Sequence, residues 1–153
     1  MSFPTKDVVF GTVIYRNKKY DSVSSLTDTN KEYHKKLQQY KIENQCGIST
    51  APWNNNKTTW VVEDKKLYLV DMRINSIFCK IEHNIIQDIF QTDKLFASWL
   101  NKDIKLLISK KKIEQTEDSR DNVQRDVLVL SFKNGIIVDT KQIIEQYFSY
   151  LYL

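Results

Sequence analysis

The chain holds two imidazoles, His34 and His83, and any triad or imidazole-ligated metal would have to run through one of them. His34 lies in the basic stretch KEYHKKLQQYK, and His83 follows Glu82 ahead of a polar segment. Neither stands near a nucleophile on a strained turn of the G-x-S-x-G kind. Three carboxylates, Glu63, Asp64 and Asp71, crowd one stretch that reads as a hairpin. A carboxylate pair there can do acid–base work, but a solvated turn accounts for the same residues. Cys46 and Cys79 have no CxxC partner and no Cys/His neighbours at zinc spacing. They can form one disulfide, yet nothing in their spacing demands it, and two buried free thiols are the expectation. The three glycines, Gly11, Gly47 and Gly135, are scattered, so no phosphate cradle can be built. No catalytic residue, metal ligand or cofactor is expected.

Recognition is the other chemistry on offer. In STAPWNNNKTTWVVEDKKLYLVD, Trp53 and Trp60 flank Asn54, Asn55 and Asn56. Asparagine tolerates left-handed backbone and favours turns, and tryptophan is enriched at interface hot spots. Trp60 opens a strand and reads as core. Trp53, Asn54, Asn55, Asn56 and Lys57 form the better candidate for an exposed, specific surface. A second candidate is the acidic group Glu114, Glu117, Asp118 and Asp121 in a charged stretch.

The totals bound what can hold such surfaces. A chain of 153 residues fits one domain, and no linker or repeat divides residues 1–153. Three Trp, eight Tyr and seven Phe supply a core despite 41% hydrophobic content. No run approaches the roughly 20 apolar residues of a membrane-spanning helix, and the start lacks a signal-peptide pattern. A cytoplasmic protein without membrane contact is expected. The net charge of +4 comes from residues 1–57, with nine Lys/Arg against five Asp/Glu. With a pI of 8.9 and only short basic runs, nucleic acid is not the expected partner.

The elements follow from pattern. VVFGTVIY, residues 8–15, is β-branched and aromatic and predicts a strand. Residues 29–40 predict a helix, with Leu37 and Tyr40 following Tyr33 at helical spacing and Asp28 or Thr29 as cap. TTWVVED and KLYLVDMRI flank a turn at Asp64-Lys65, and neither strand has a fully polar face, so both should lie inside a covered sheet. Residues 84–90 predict a short helix, and 102–109 a strand. Residues 114–125 read as a solvated loop. Asn134-Gly135 between two apolar runs is the strongest hairpin signal in the chain. The last stretch, TKQIIEQYFSYLYL, predicts a C-terminal helix. The fold class is α+β: a mainly antiparallel meander, a curled sheet or partial barrel, with one or two short helices and that C-terminal helix.

The run from Leu37 to Asp71 resembles a small bacterial family without an assigned activity. That family carries L-x-G-Y, S-T-A-x-W-R-G-Y, A-T-W-E-I and K-L-Y-L-V-D-I. Leu37, Tyr40, Ser49, Thr50, Ala51, Trp53, Thr59, Trp60, Leu67, Tyr68, Leu69, Val70 and Asp71 carry the match. Phe96, Ala97, Trp99 and Leu106 resemble its second block, and the resemblance spans residues 8–139. Asn54-Asn55-Asn56 replaces R-G-Y, and the stretch after Asp139 is an addition. Small orphan domains of this sort are met beside toxin genes as immunity proteins. The resemblance therefore implies a non-enzymatic protein-binding module that neutralises a cognate toxin by direct binding. A departing surface loop suits partner specificity. A positively charged inhibitor is not steered to a basic toxin, so this reading needs an acidic toxin or the local acidic group named above. The alternative is a small-ligand-binding protein or enzyme. Its pocket would be lined by Trp53, Trp60 and Trp99, with Asn56 and Tyr68 as polar contacts.

Overall fold

The computed structural model describes residues 8–46, 56–76, 79–115 and 120–150. Strands dominate: β1 (Gly11–Tyr15), β2 (Lys18–Ser22), β3 (Asn56–Glu63), β4 (Lys66–Asn75), β5 (Lys80–Ile81), β6 (Leu95–Phe96), β7 (Asp103–Gln115), β8 (Arg120–Lys133) and β9 (Ile136–Tyr150). The helices are α1 (Lys31–Glu43), between β2 and β3, and α2 (Ile86–Phe90), between β5 and β6. All nine strands join one sheet in the order β3-β1-β2-β7-β8-β9-β4-β5, with β6 on β4. β3 also pairs with β4 along its whole length. The sheet thus curls back on itself, but β2–β7 is a two-residue ladder and β4–β9 a single pair, Lys66↔Ile136. It is a curled sheet rather than a barrel.

Three tight turns set this register. Arg16-Asn17, Asp64-Lys65 and Asn134-Gly135 all have positive φ at both positions. That is the backbone a type I′ hairpin needs, because its twist matches that of the flanking strands. β3 lies between β4 and a parallel β1, with Thr12↔Thr59 and Ile14↔Val61. β3 is paired on both edges, but only one of its faces is buried: Thr58 and Trp60 point inward, whereas Lys57 and Glu63 on the other face are exposed, so the expected cover on both sides is not found.

α1 begins at Asn30, whose side chain accepts from the Tyr33 amide at 3.0 Å. The cap is therefore Asn30 rather than Asp28 or Thr29, and the helix runs three residues beyond Tyr40. Tyr33 and Leu37, one turn apart, bury their side chains against a core of Leu26, Trp60, Leu69, Met72, Ile85, Ile104, Leu106 and Leu130. On the exposed face Lys36 pairs with Glu32 at 3.3 Å, a contact worth about 0.5 kcal/mol or less.

Three expectations are corrected. The C-terminal stretch is not a helix: β9 pairs with β8 from Ile136 to Tyr150. Its Ile143 and Tyr147, four residues apart, fit a helix face and a strand face alike, and a ladder of that length along β8 outweighs local preference. The stretch 114–125 is not one loop, since β7 reaches Gln115 and β8 starts at Arg120. Val123, its one apolar residue, is buried. Cys46 and Cys79 are not free thiols but form a disulfide, with Cα atoms 4.9 Å apart and a sequence separation of 33.

That bridge ties the end of α1 to the segment between β4 and β5. Opening it, by reductant or by Cys46→Ser with Cys79→Ser, is expected to lower stability by about 2–4 kcal/mol, chiefly through the freedom returned to the unfolded chain. Urea unfolding with and without reductant measures this. An identical midpoint would show that the bridge constrains nothing.

Candidate functional site

β9 is the longest strand described, and over most of its length described residues pair with it on one side only. Its ladder with β8 is continuous apart from one irregularity at Ser131/Phe132. Towards β4 it makes the Lys66↔Ile136 pair and a bond from the Ile137 amide to the Lys65 carbonyl at 2.7 Å. Beyond Ile137 no described residue pairs with that edge. Strands of this length normally bury or blunt such an edge, because its free N–H and C=O groups template another strand.

The Asn134-Gly135 turn sends β9 past two other hairpin tips. The Gly135 amide donates to the Leu100 carbonyl at 2.9 Å, and its carbonyl accepts from the Leu67 amide at 3.0 Å. A groove of about 510 Å³ results. Val138, Asp139 and Thr140 form one wall, while Tyr15 and Arg16 of the first turn and Val62, Asp64 and Lys65 of the second form the other. The Arg16 guanidinium sits over the Tyr15 ring, 5.3 Å from its centre. The groove thus offers apolar contact at Tyr15, Val62 and Val138, with charges of both signs at its rim. Val138, at the irregularity of the β8–β9 ladder, and Ile144 are each 63% exposed.

The opposite face of β9 is held by charge. Glu145 lies 2.9 Å from Lys105 and 3.4 Å from Arg125. Burial works against its ionisation, but Lys105 and Arg125 outweigh burial and hold its carboxyl below the usual range. Arg125 also covers the Tyr147 ring at 5.3 Å. This network ties β9 to both β7 and β8.

The residues singled out from sequence are distributed differently. Trp53, Asn54 and Asn55 lie outside the described residues, as do Glu117 and Asp118. Asn56 and Lys57 open β3, opposite Ile74 and Arg73. Lys57 is exposed, whereas the Asn56 Oδ1 is buried with no hydrogen-bond partner. Glu114 and Asp121 are ladder residues of β7 and β8, opposite Asn122 and Gln115. The two candidate groups therefore start from different ladders, β3–β4 and β7–β8.

Trp60 is fully buried, and its indole meets Trp99 edge-on at 6.2 Å. Trp99 in turn donates to the Leu26 carbonyl at 2.8 Å. A cavity does lie beside Trp60 and Asn56. Tyr68 is not among its walls; it packs on Phe96 with the Lys94 ammonium 4.3 Å above its ring. The carboxylates of the second hairpin are spent on exposed ion pairs, Glu63 with Lys94 at 2.9 Å and Asp71 with Arg73 at 3.0 Å. His34 contacts the Thr27 carbonyl at 2.8 Å. Among the described residues no group of three His, Cys, Asp or Glu side chains gathers as a metal site, and no helix is long and apolar enough to cross a membrane.

The free edge of β9 was missed in the sequence. Residues 139–148, DTKQIIEQYF, carry no polar/apolar alternation that would have marked it. In comparison with known proteins, no family model, no curated protein and no solved structure matches the chain.

Proposed function

We propose that this chain is a non-enzymatic protein-binding module that takes an extended segment of its partner onto the free edge of β9. We further propose that the partner is a cognate bacterial toxin, neutralised by direct binding in the cytoplasm. The observation that carries the binding reading is the β9 edge beyond Ile137, which no described residue pairs, beside the groove walled by the Tyr15-Arg16 and Asp64-Lys65 tips. Strand addition supplies affinity through main-chain bonds and specificity through side-chain contacts along the edge. The toxin part rests on the sequence resemblance alone. In a reducing compartment the Cys46–Cys79 pair would be held as thiols, so the module would work there without its bridge.

Pairwise co-expression with the product of the adjacent gene tests the reading, with growth and complex formation as readouts. Val138→Lys with Ile144→Lys places two charges on exposed positions of the edge and should leave folding intact. Binding is expected to weaken by about tenfold or more, with protection lost. Wild-type binding by that variant would overturn the edge as the docking site. If Glu114, Glu117, Asp118 and Asp121→Ser instead removed low-salt association, the acidic group would replace it.

A further inference from the structure

What covers the β9 edge while no partner is on it can be read from the strand itself. Edge strands are commonly blunted by charge, proline or a bulge. β7 carries such a device in Lys110, Lys111 and Lys112. β9 has no proline, and the irregularity of its ladder lies at Val138, before the open stretch begins. From residue 139 to 147 it carries one lysine, Lys141, which makes no ion pair among the described residues. Thr140, Lys141, Gln142, Ile144 and Gln146 are exposed.

Two identical strands meet antiparallel about a two-fold axis only if the axis passes through a residue, because opposite residues must turn their N–H and C=O groups the same way. Few positions for that axis survive. At Lys141 or Glu145 it would oppose two residues of one charge, and at Gln142 it would set Asp139 against Glu145. Like charges directly opposite are destabilising. At Thr140 the second strand would run into the Asp64-Lys65 tip, whose Lys65 carbonyl already accepts the Ile137 amide at 2.7 Å. At Ile144 no charge meets its opposite. At Ile143, Lys141 faces Glu145 of the second copy, twice by symmetry. Ile143 then meets its own counterpart, and Thr140 faces Gln146 of the second copy. Glu145 is held from within its own sheet by Lys105 and Arg125, so Lys141 of the second copy would approach it across the edge. The end of the second strand, past Tyr147 of the second copy, would lie along the groove walled by Val138 and Tyr15.

We propose that, in the absence of its partner, this chain closes the β9 edge on a second copy of itself, with the two β9 strands antiparallel about Ile143. Self-closure rests on the same reading of the edge as one that accepts a strand, and it regulates that site. The second copy and the partner's segment compete for the same main-chain groups.

Sedimentation equilibrium of the full chain alone tests this. The unaltered chain should pass from monomer to dimer as its concentration rises. Thr140→Lys with Gln146→Lys sets lysine against lysine at both symmetry-related crossings and should weaken the dimer by about tenfold or more. Thr140→Glu with Gln146→Lys sets opposite charges at the same crossings and should restore it. Both positions are exposed, so the urea midpoints of the two variants at low concentration should match that of the unaltered chain. A chain that stays monomeric at every concentration would overturn self-closure. It would leave the strand-addition reading standing, since that is read from partner binding and growth. Dimers of equal affinity in the two double variants would place the contact on another surface or register and would also overturn it.

Discussion

Replacing Trp60 by Ala is expected to destabilise the protein by about 3–5 kcal/mol, the range for removing a buried aromatic without full collapse of the space. Trp60 has no exposed surface. Its ring is held from three directions. The indole N–H is fixed on Thr58, Trp99 meets its ring edge-on, and β3 is locked between β1 and β4. Truncation therefore leaves a hole that neither strand can close by sliding, because each is in register with a neighbour. Urea denaturation gives the loss directly, with an unchanged slope confirming that the same cooperative unit unfolds. A loss near about 0.5 kcal/mol, typical of surface substitutions, would show that the indole is not part of the core.

Gly135→Ala is expected to cost about 2–4 kcal/mol for two additive reasons. The residue has φ +79, and left-handed backbone costs an L side chain about 1–2 kcal/mol. A Cβ there would also run into the Ala97 carbonyl, a main-chain atom anchored by the bond from the Leu100 amide. The turn must therefore lift away from residues 97–100 and loosen the Gly135 bonds to Leu100 and Leu67. Asn134→Gly is the control, since φ 51 at that position suits glycine at least as well. Thermal unfolding of the two variants separates the effects. Equal midpoints would sink the argument that the turn is docked rather than merely present.

Parts of this were legible in the sequence because the physics is local. Asn134-Gly135 and Asp64-Lys65 announced their turns by residue type, and Trp60 announced its burial by sitting between β-branched neighbours. Arg16-Asn17 adopts the same turn, but its basic surroundings resemble a charged surface run. β7 was visible as far as Ser109, where alternation of apolar residues ends. Its continuation to Gln115 depends on β8, and β8 on β9, so no window around Glu114 or Asp121 contains the cause. The same holds for β9, whose Ile143 and Tyr147, four residues apart, fit a helix face and a strand face alike until a partner strand selects one. The groove could not be read at all, because its walls come from three hairpins far apart in the chain. The disulfide depended likewise on where α1 ends relative to β4.

The β1–β3 pairing also orders events in time. β1–β2, β3–β4, β7–β8 and β8–β9 each join strands adjacent in sequence, and hairpins of this kind close in about 1–10 μs. The parallel pairing of residues 12–14 with 59–61 must instead enclose β2 and all of α1. Loop-closure entropy opposes it until those contacts form. The molecule is thus assembled from hairpins that can form early and from non-local seams, β1–β3, β2–β7 and β4–β9, that close late, with α1 chained between the two sides of the first.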